Sequence, residues 1–234
     1  MSHHQGVQVE RDSGSAPRPI EPATLRQVLL ERLAAAGGLF EEDELSYLAL
    51  TQKVELHFRD RLAWDLHKLL APRGIIVARE WARADLAILV QDVPLALIEL
   101  KALYAFDIHI PRNRAAYLER VRADLAKAAA LAPTADRFAL TLVTSVNGRV
   151  PAQLRHRVVK YSSGVERAAA AFGSGASARD AAIPLWDRQL RVLGAKATHV
   201  AIPAGTVWDL NVTIDAWLVG PLAGVMPAEE VHQL

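Results

Sequence analysis

Helical spacing of apolar residues up to about residue 70, three short aliphatic runs between residues 75 and 101, and a return to helical spacing after Pro111 predict an α/β fold with a mixed central β-sheet flanked by helices. At 234 residues, 51% hydrophobic and 23% charged, the chain can bury a full core. It has no cysteine, which excludes disulfides, thiolate zinc sites and cysteine nucleophiles and accords with a cytoplasmic location. No stretch approaches the ~20 apolar residues needed to cross a bilayer, so no membrane partner is expected. A net charge of +1 argues against a broadly basic coat for DNA but leaves room for a local basic patch.

Residues 1–22 are polar, carry Pro, Ser and Gly, lack periodicity and read as a flexible N-terminal tail. Leu25, Val28, Leu29 and Leu33 then fall at helical spacing over residues 23–36, and Gly37-Gly38 ends that pattern. A longer helix, starting at about Glu42 or Thr51, runs to Leu70 with Val54, Phe58, Leu62, Leu66 and Leu69 on one stripe and Glu55 beside it. Residues 75–78, 85–90 and 95–101 read as a three-stranded meander. After Pro111, Tyr117, Val121, Leu125 and Ala128 point inward on a helix whose outer face offers Arg112, Arg114, Arg120, Arg122 and Lys127.

Residues 138–143 are a strand, 150–161 read as a basic helix, and 168–182 mix helix former with linker, placing a mobile boundary at 173–181. A helix over 185–193 and strands over 198–202 and 207–219 complete the chain. They extend the core sheet or form a dimer surface. The expected organisation is a core over residues 23–165 and a linker with a C-terminal helix and strand extension over 166–234, packed on that core.

The chemistry concentrates in the meander. Arg83-Ala-Asp-Leu-Ala-Ile-Leu-Val90 and Pro94-Leu-Ala-Leu-Ile-Glu-Leu-Lys101 place Asp85, Glu99 and Lys101 in a hairpin that is otherwise apolar. An ionised group taken from water is costly unless it is paired or binds a metal. Glu99 and Lys101, two apart on a strand, share a face with Leu97. With a loop over residues 91–93, Val90 pairs with Pro94 and Asp85 falls opposite Glu99. Two facing carboxylates repel unless a hard cation lies between them, which suits Mg²⁺ (or Mn²⁺) with one or two carboxylates and water or phosphate oxygen. Lys101 could then hold or deprotonate the attacking water.

This order of residues resembles the PD-(D/E)XK nuclease superfamily, whose members share a restriction endonuclease-like core. Asp85 matches the motif aspartate and Glu99-Leu100-Lys101 the (D/E)XK triplet, although Ala84 stands where the motif name has proline. The family's upstream helix often supplies another acidic residue, and Glu55 is the position that aligns with it, ahead of Glu44. No Gln-x-x-x-Tyr element follows the triplet, so nothing ties the chain to the exonuclease branch. The resemblance covers residues 53–143. It implies a divalent-metal-dependent phosphodiesterase with Asp85, Glu99 and Glu55 at the metal and Lys101 at the water, acting on nucleic acid and most simply on duplex DNA. A homodimer would present two sites to two strands. The alternative is a catalytically silent nuclease-like fold that binds nucleic acid or protein.

Arg155, Arg157, Lys160 and Arg114 are the phosphate-contact candidates, weighed against an ordinary solvated face. His109, just past the triplet, is a candidate proton donor, although a structural role is commoner for such a histidine; Tyr104 and Asp107 stand on the same footing. The five tryptophans read as core or interface packing. Absence of a GxxxxGK[ST] loop excludes ATP-driven work, and Gly173-Ser-Gly-Ala-Ser177 fails the G-x-S-x-G nucleophile pattern.

Overall fold

The computed structural model describes residues 21–222. The expectation for residues 1–22 therefore falls almost wholly outside the described residues, and Pro22 already opens the first helix. Among the described residues six strands form one sheet in the order β1-β2-β3-β4-β6-β5. They are β1 (Ile75–Trp81), β2 (Ala84–Val90), β3 (Val93–Tyr104), β4 (Asp136–Asn147), β5 (Ala197–Val207) and β6 (Leu210–Leu222). Only β3 and β4 pair in parallel, so the sheet is mixed as expected. The parallel pair requires a long crossover, which α4 (Ala105–His109) and α5 (Pro111–Leu131) provide.

Helices cover both faces. On one, α1 (Pro22–Ala34), α2 (Glu44–Thr51) and α3 (Glu55–Leu70) bury Leu25, Leu29, Leu45, Phe58, Leu62 and Leu66 against the sheet. On the other, α4, α5 and α7 (Gly175–Leu190) bury Ile108, Val121, Leu125 and Trp186 against Leu103, Val143 and Trp217. Covered on both sides, central β4 is buried without interruption from Phe138 to Val146. β5 and β6 extend the sheet. Among the described residues no helix is long and apolar enough to cross a membrane.

Several sequence expectations change. The long second helix is two helices, α2 and α3, broken over residues 52–54, and Leu69 leaves the buried stripe because Leu70 takes that position. Tyr117 is only half-buried, with Leu118 in its place inside α5. The basic helix over 150–161 is absent: a single 3₁₀ turn at Ala152–Leu154 is followed by irregular chain, with Val158 and Val159 N–H donating to Leu154 O and Lys160 N–H to Leu50 O. Pro151 and the left-handed His156 and Tyr161 break any regular helix there.

Nor are residues 173–181 a linker. Helix α6 (Ser162–Phe172) ends at left-handed Gly173, and the Ser174 hydroxyl caps α7 by accepting from Ser177 N–H at 3.0 Å. Gly175 serves close packing here: a Cβ on it would lie 2.0 Å from Val146 O.

One carboxylate in this scaffold is locked by a guanidinium and an imidazole. Asp215 on β6 is 1% exposed; Arg179 from α7 binds it bidentately, both bonds at 2.7 Å, and His199 Nε2 lies 2.8 Å from its Oδ1. His199 also stacks on buried Trp217.

Candidate functional site

The β2–β3 turn has two residues, not three. Gln91 and Asp92 both take positive φ, 50° and 65°, as a two-residue hairpin turn requires, and Val90 pairs with Val93. A bulge at Leu95, between the pairs Leu89↔Pro94 and Ile88↔Ala96, then adds one residue to β3. The two departures cancel. Pairing resumes through Leu86↔Ile98, and the next position in that register sets Asp85 opposite Glu99.

That pair marks where β2 leaves β3. Pairing with β2 stops there, while β3 runs on to Tyr104, so one edge of β3 has no strand to bond. Two carboxylates replace the strand. Asp85 Oδ2 accepts from Leu100 N–H at 2.7 Å and Glu55 Oε2 from Ala102 N–H at 2.8 Å. Glu55 reaches this edge because the break over residues 52–54 makes it the first residue of α3, where the helix dipole favours an anion.

Glu99 and Lys101 lie on the α5 face of β3. Burial, and next the charge of Asp85, push the Glu99 carboxyl up to about 8, with Asp124 adding to both. Lys101 is not free. Its Nζ lies 2.7 Å from Asp124 Oδ2 of α5, whose Oδ1 takes Lys127 at 3.1 Å. Burial works against the Lys101 charge, but the bond to Asp124 and the charges of Glu55, Asp124 and Asp85 outweigh it and raise its pKa above the ordinary lysine value. Arg59 on α3 closes the other side: its side chain, 8% exposed, binds Glu80 at 2.8 Å and Asp60 at 3.0 Å and stands 4.0 Å from Asp85 Oδ1.

The structure thus brings Glu55, Asp85, Glu99 and Lys101 to one edge of β3. Glu44 is elsewhere, paired with Arg61 at the start of α2. His109 turns away to Ala178 O, 2.9 Å distant, and packs on Phe172; burial lowers its pKa. Tyr104 is buried and donates to Ala49 O, and Asp107 caps α4. Of the phosphate-contact candidates, Arg155 pairs with Glu166 at 2.7 Å and Arg114 donates to Ile108 O, whereas Arg157 and Lys160 side chains are exposed on the irregular segment. Trp186 and Trp217 are core residues as expected; Trp64 is 62% exposed.

Arg59 and Asp124 were missed from sequence. The available signal for Asp124 was its place three residues after Val121 and four before Ala128, which makes it the charged member of a buried stripe.

Among the described residues no three His, Asp or Glu side chains converge into a metal cage. The donor chemistry suits a hydrated hard cation all the same. Mg²⁺ needs one or two carboxylates and keeps its remaining ligands as water or phosphate oxygen, and a cation would offset both the burial and, next, the Asp85 charge that raise the Glu99 pKa. No family model, curated protein or solved structure matches the chain.

Proposed function

We propose that this chain is a divalent-metal-dependent nuclease with a restriction endonuclease-like core, hydrolysing phosphodiester bonds in DNA. The observation that carries the reading is the unpaired edge of β3, where Asp85, Glu99, Glu55 and Lys101 meet from two strands and a helix. Asp85 and Glu99 would hold Mg²⁺ or Mn²⁺, with Glu55 at the neighbouring position. When bound, such an ion polarises a phosphoryl oxygen and acidifies a water. The backbone N–H groups of Leu100 and Ala102 fix the Asp85 and Glu55 carboxylates, so little ordering remains to be done at the moment of reaction. Lys101 supplies positive charge on the same face as Glu99, where the phosphate gains charge. Arg157 and Lys160 are the exposed cations for backbone phosphates.

The test is cleavage of plasmid and linear DNA with Mg²⁺ or Mn²⁺. Asp85→Ala and Lys101→Ala should each lower the rate by about a hundredfold or more. Cleavage that survives either substitution overturns the assignment. A homodimer would present two sites to a duplex, and sizing chromatography reads it directly.

The Lys101–Asp124 bond favours a second reading, a nuclease-like binding module in which Lys101 is a structural ion pair. Calorimetric Mn²⁺ titration of the wild type against Glu99→Gln separates the two, because a silent module shows no site-specific uptake.

A further inference from the structure

We propose that Asp124 is a positioning residue for this site: it draws the Lys101 ammonium to α5 and so leaves the Asp85–Glu99 pair to a divalent cation. The inference rests on the metal-site reading above.

Lys101 has two sets of anions to choose between. One is the carboxylate set at the open edge of β3, where Glu99 is two residues away on the same face and stands opposite Asp85, and where the Glu55 charge also acts on Lys101. The other is Asp124, and the structure places the ammonium there, 2.7 Å from Oδ2. An ammonium on a flexible four-carbon stem is a compact point charge that settles on the nearest fixed anion. Remove Asp124, and the nearest fixed anions are the cation's own ligands. Lys101 then competes with the metal from inside the protein, and any metal that does bind is repelled by the ammonium beside it.

The anchor is built to stay in place. Asp124 sits on the 21-residue helix α5, whose Val121, Leu125 and Ala128 are buried against the sheet, so its backbone is fixed relative to β3. Its side chain is 17% exposed, which protects the bond from screening. Lys127 occupies the other oxygen from a side chain that is 77% exposed, where solvent screens the pair.

The experiment is calorimetric titration of Mn²⁺, without nucleic acid, into the wild type, Asp124→Ala, Asp124→Asn, Lys127→Ala and the double variant Asp124→Ala/Lys101→Met. Asp124→Ala should weaken binding about tenfold and Asp124→Asn less, and Lys127→Ala should match the wild type. The double variant should recover wild-type affinity or better, because the internal competitor is gone. Recovery is the outcome a purely structural Asp124 would not give. Unchanged affinity in both Asp124 variants overturns the inference and leaves the metal site standing. Weakened affinity that the double variant fails to restore also overturns it and makes Asp124 a ligand or a scaffold residue. No site-specific uptake by the wild type overturns the metal reading itself, and the inference with it.

Discussion

Asp85 and Asp215 are carboxylates on strands of one sheet, and their surroundings answer the same electrostatic problem differently. Asp215, nearly inaccessible, receives a bidentate guanidinium from Arg179 and a third contact from His199, so both oxygens are taken and no further ligand is required. Asp85 spends one oxygen on a backbone N–H, has Arg59 no nearer than 4.0 Å to the other, and faces a second carboxylate, Glu99, while Arg59 bonds more closely to Glu80 and Asp60 and Lys101 bonds to Asp124. The first cluster is closed and the second is open. A buried charge is therefore a poor indicator of function by itself; what marks a site is charge that its own surroundings leave only partly compensated.

Four measurements test that contrast. The largest effect separates activity from stability: Asp85→Asn should lower metal-dependent cleavage by about a hundredfold or more, while moving the urea midpoint little. Next in size, Arg179→Met should destabilise the fold by about 2–4 kcal/mol, because a carboxylate that is 1% exposed loses its bidentate partner. Equilibrium unfolding in urea checks this, and a loss under about 1 kcal/mol would mean that the lock is not a lock.

The third measurement uses pH. Glu99 titrates near 8 in the folded chain, against an ordinary value of 4.5, so between those values the native state keeps a proton that the unfolded chain has released. Its contribution to stability is complete below about pH 4.5 and is lost as pH rises through about 8, a fall on the order of 1–2 kcal/mol after solvent screening. Glu99→Gln should flatten this dependence in urea titrations from pH 5 to 9. The smallest effect belongs to the closed cluster: His199→Phe keeps an aromatic ring over Trp217 but removes one contact to Asp215, at a cost of about 1 kcal/mol. A larger loss would make His199, and not Arg179, the main partner.

The order of strands and helices around the site was legible because periodicity is local: a 3.6-residue stripe or a short aliphatic run is visible within a few turns. Turn chemistry was harder. Among the described residues all three hairpins turn through two non-glycine residues at positive φ, Ala82-Arg83, Gln91-Asp92 and Trp208-Asp209, where no glycine announces the geometry. The bulge at Leu95 was equally silent, and the site's register was right only because it offset the shorter turn. Gly175 misled in the other direction, since a glycine needed for close approach to Val146 looks in sequence like one needed for flexibility.

By itself the sequence determined that three ionisable groups lie in an apolar hairpin and that an acidic residue lies on the helical stretch before them, since strand alternation and helical spacing are properties of neighbouring residues; that Glu55 opens its own helix came from the break over residues 52–54. Only the tertiary structure decided which groups answer which. Glu55 meets Ala102 across 47 positions, Arg179 meets Asp215 across 36, and Lys101 is claimed by a helix that follows it in the chain. The physical reason is that a buried charge is settled by whatever the fold brings within a few ångströms of it, and packing sets that distance where sequence spacing cannot.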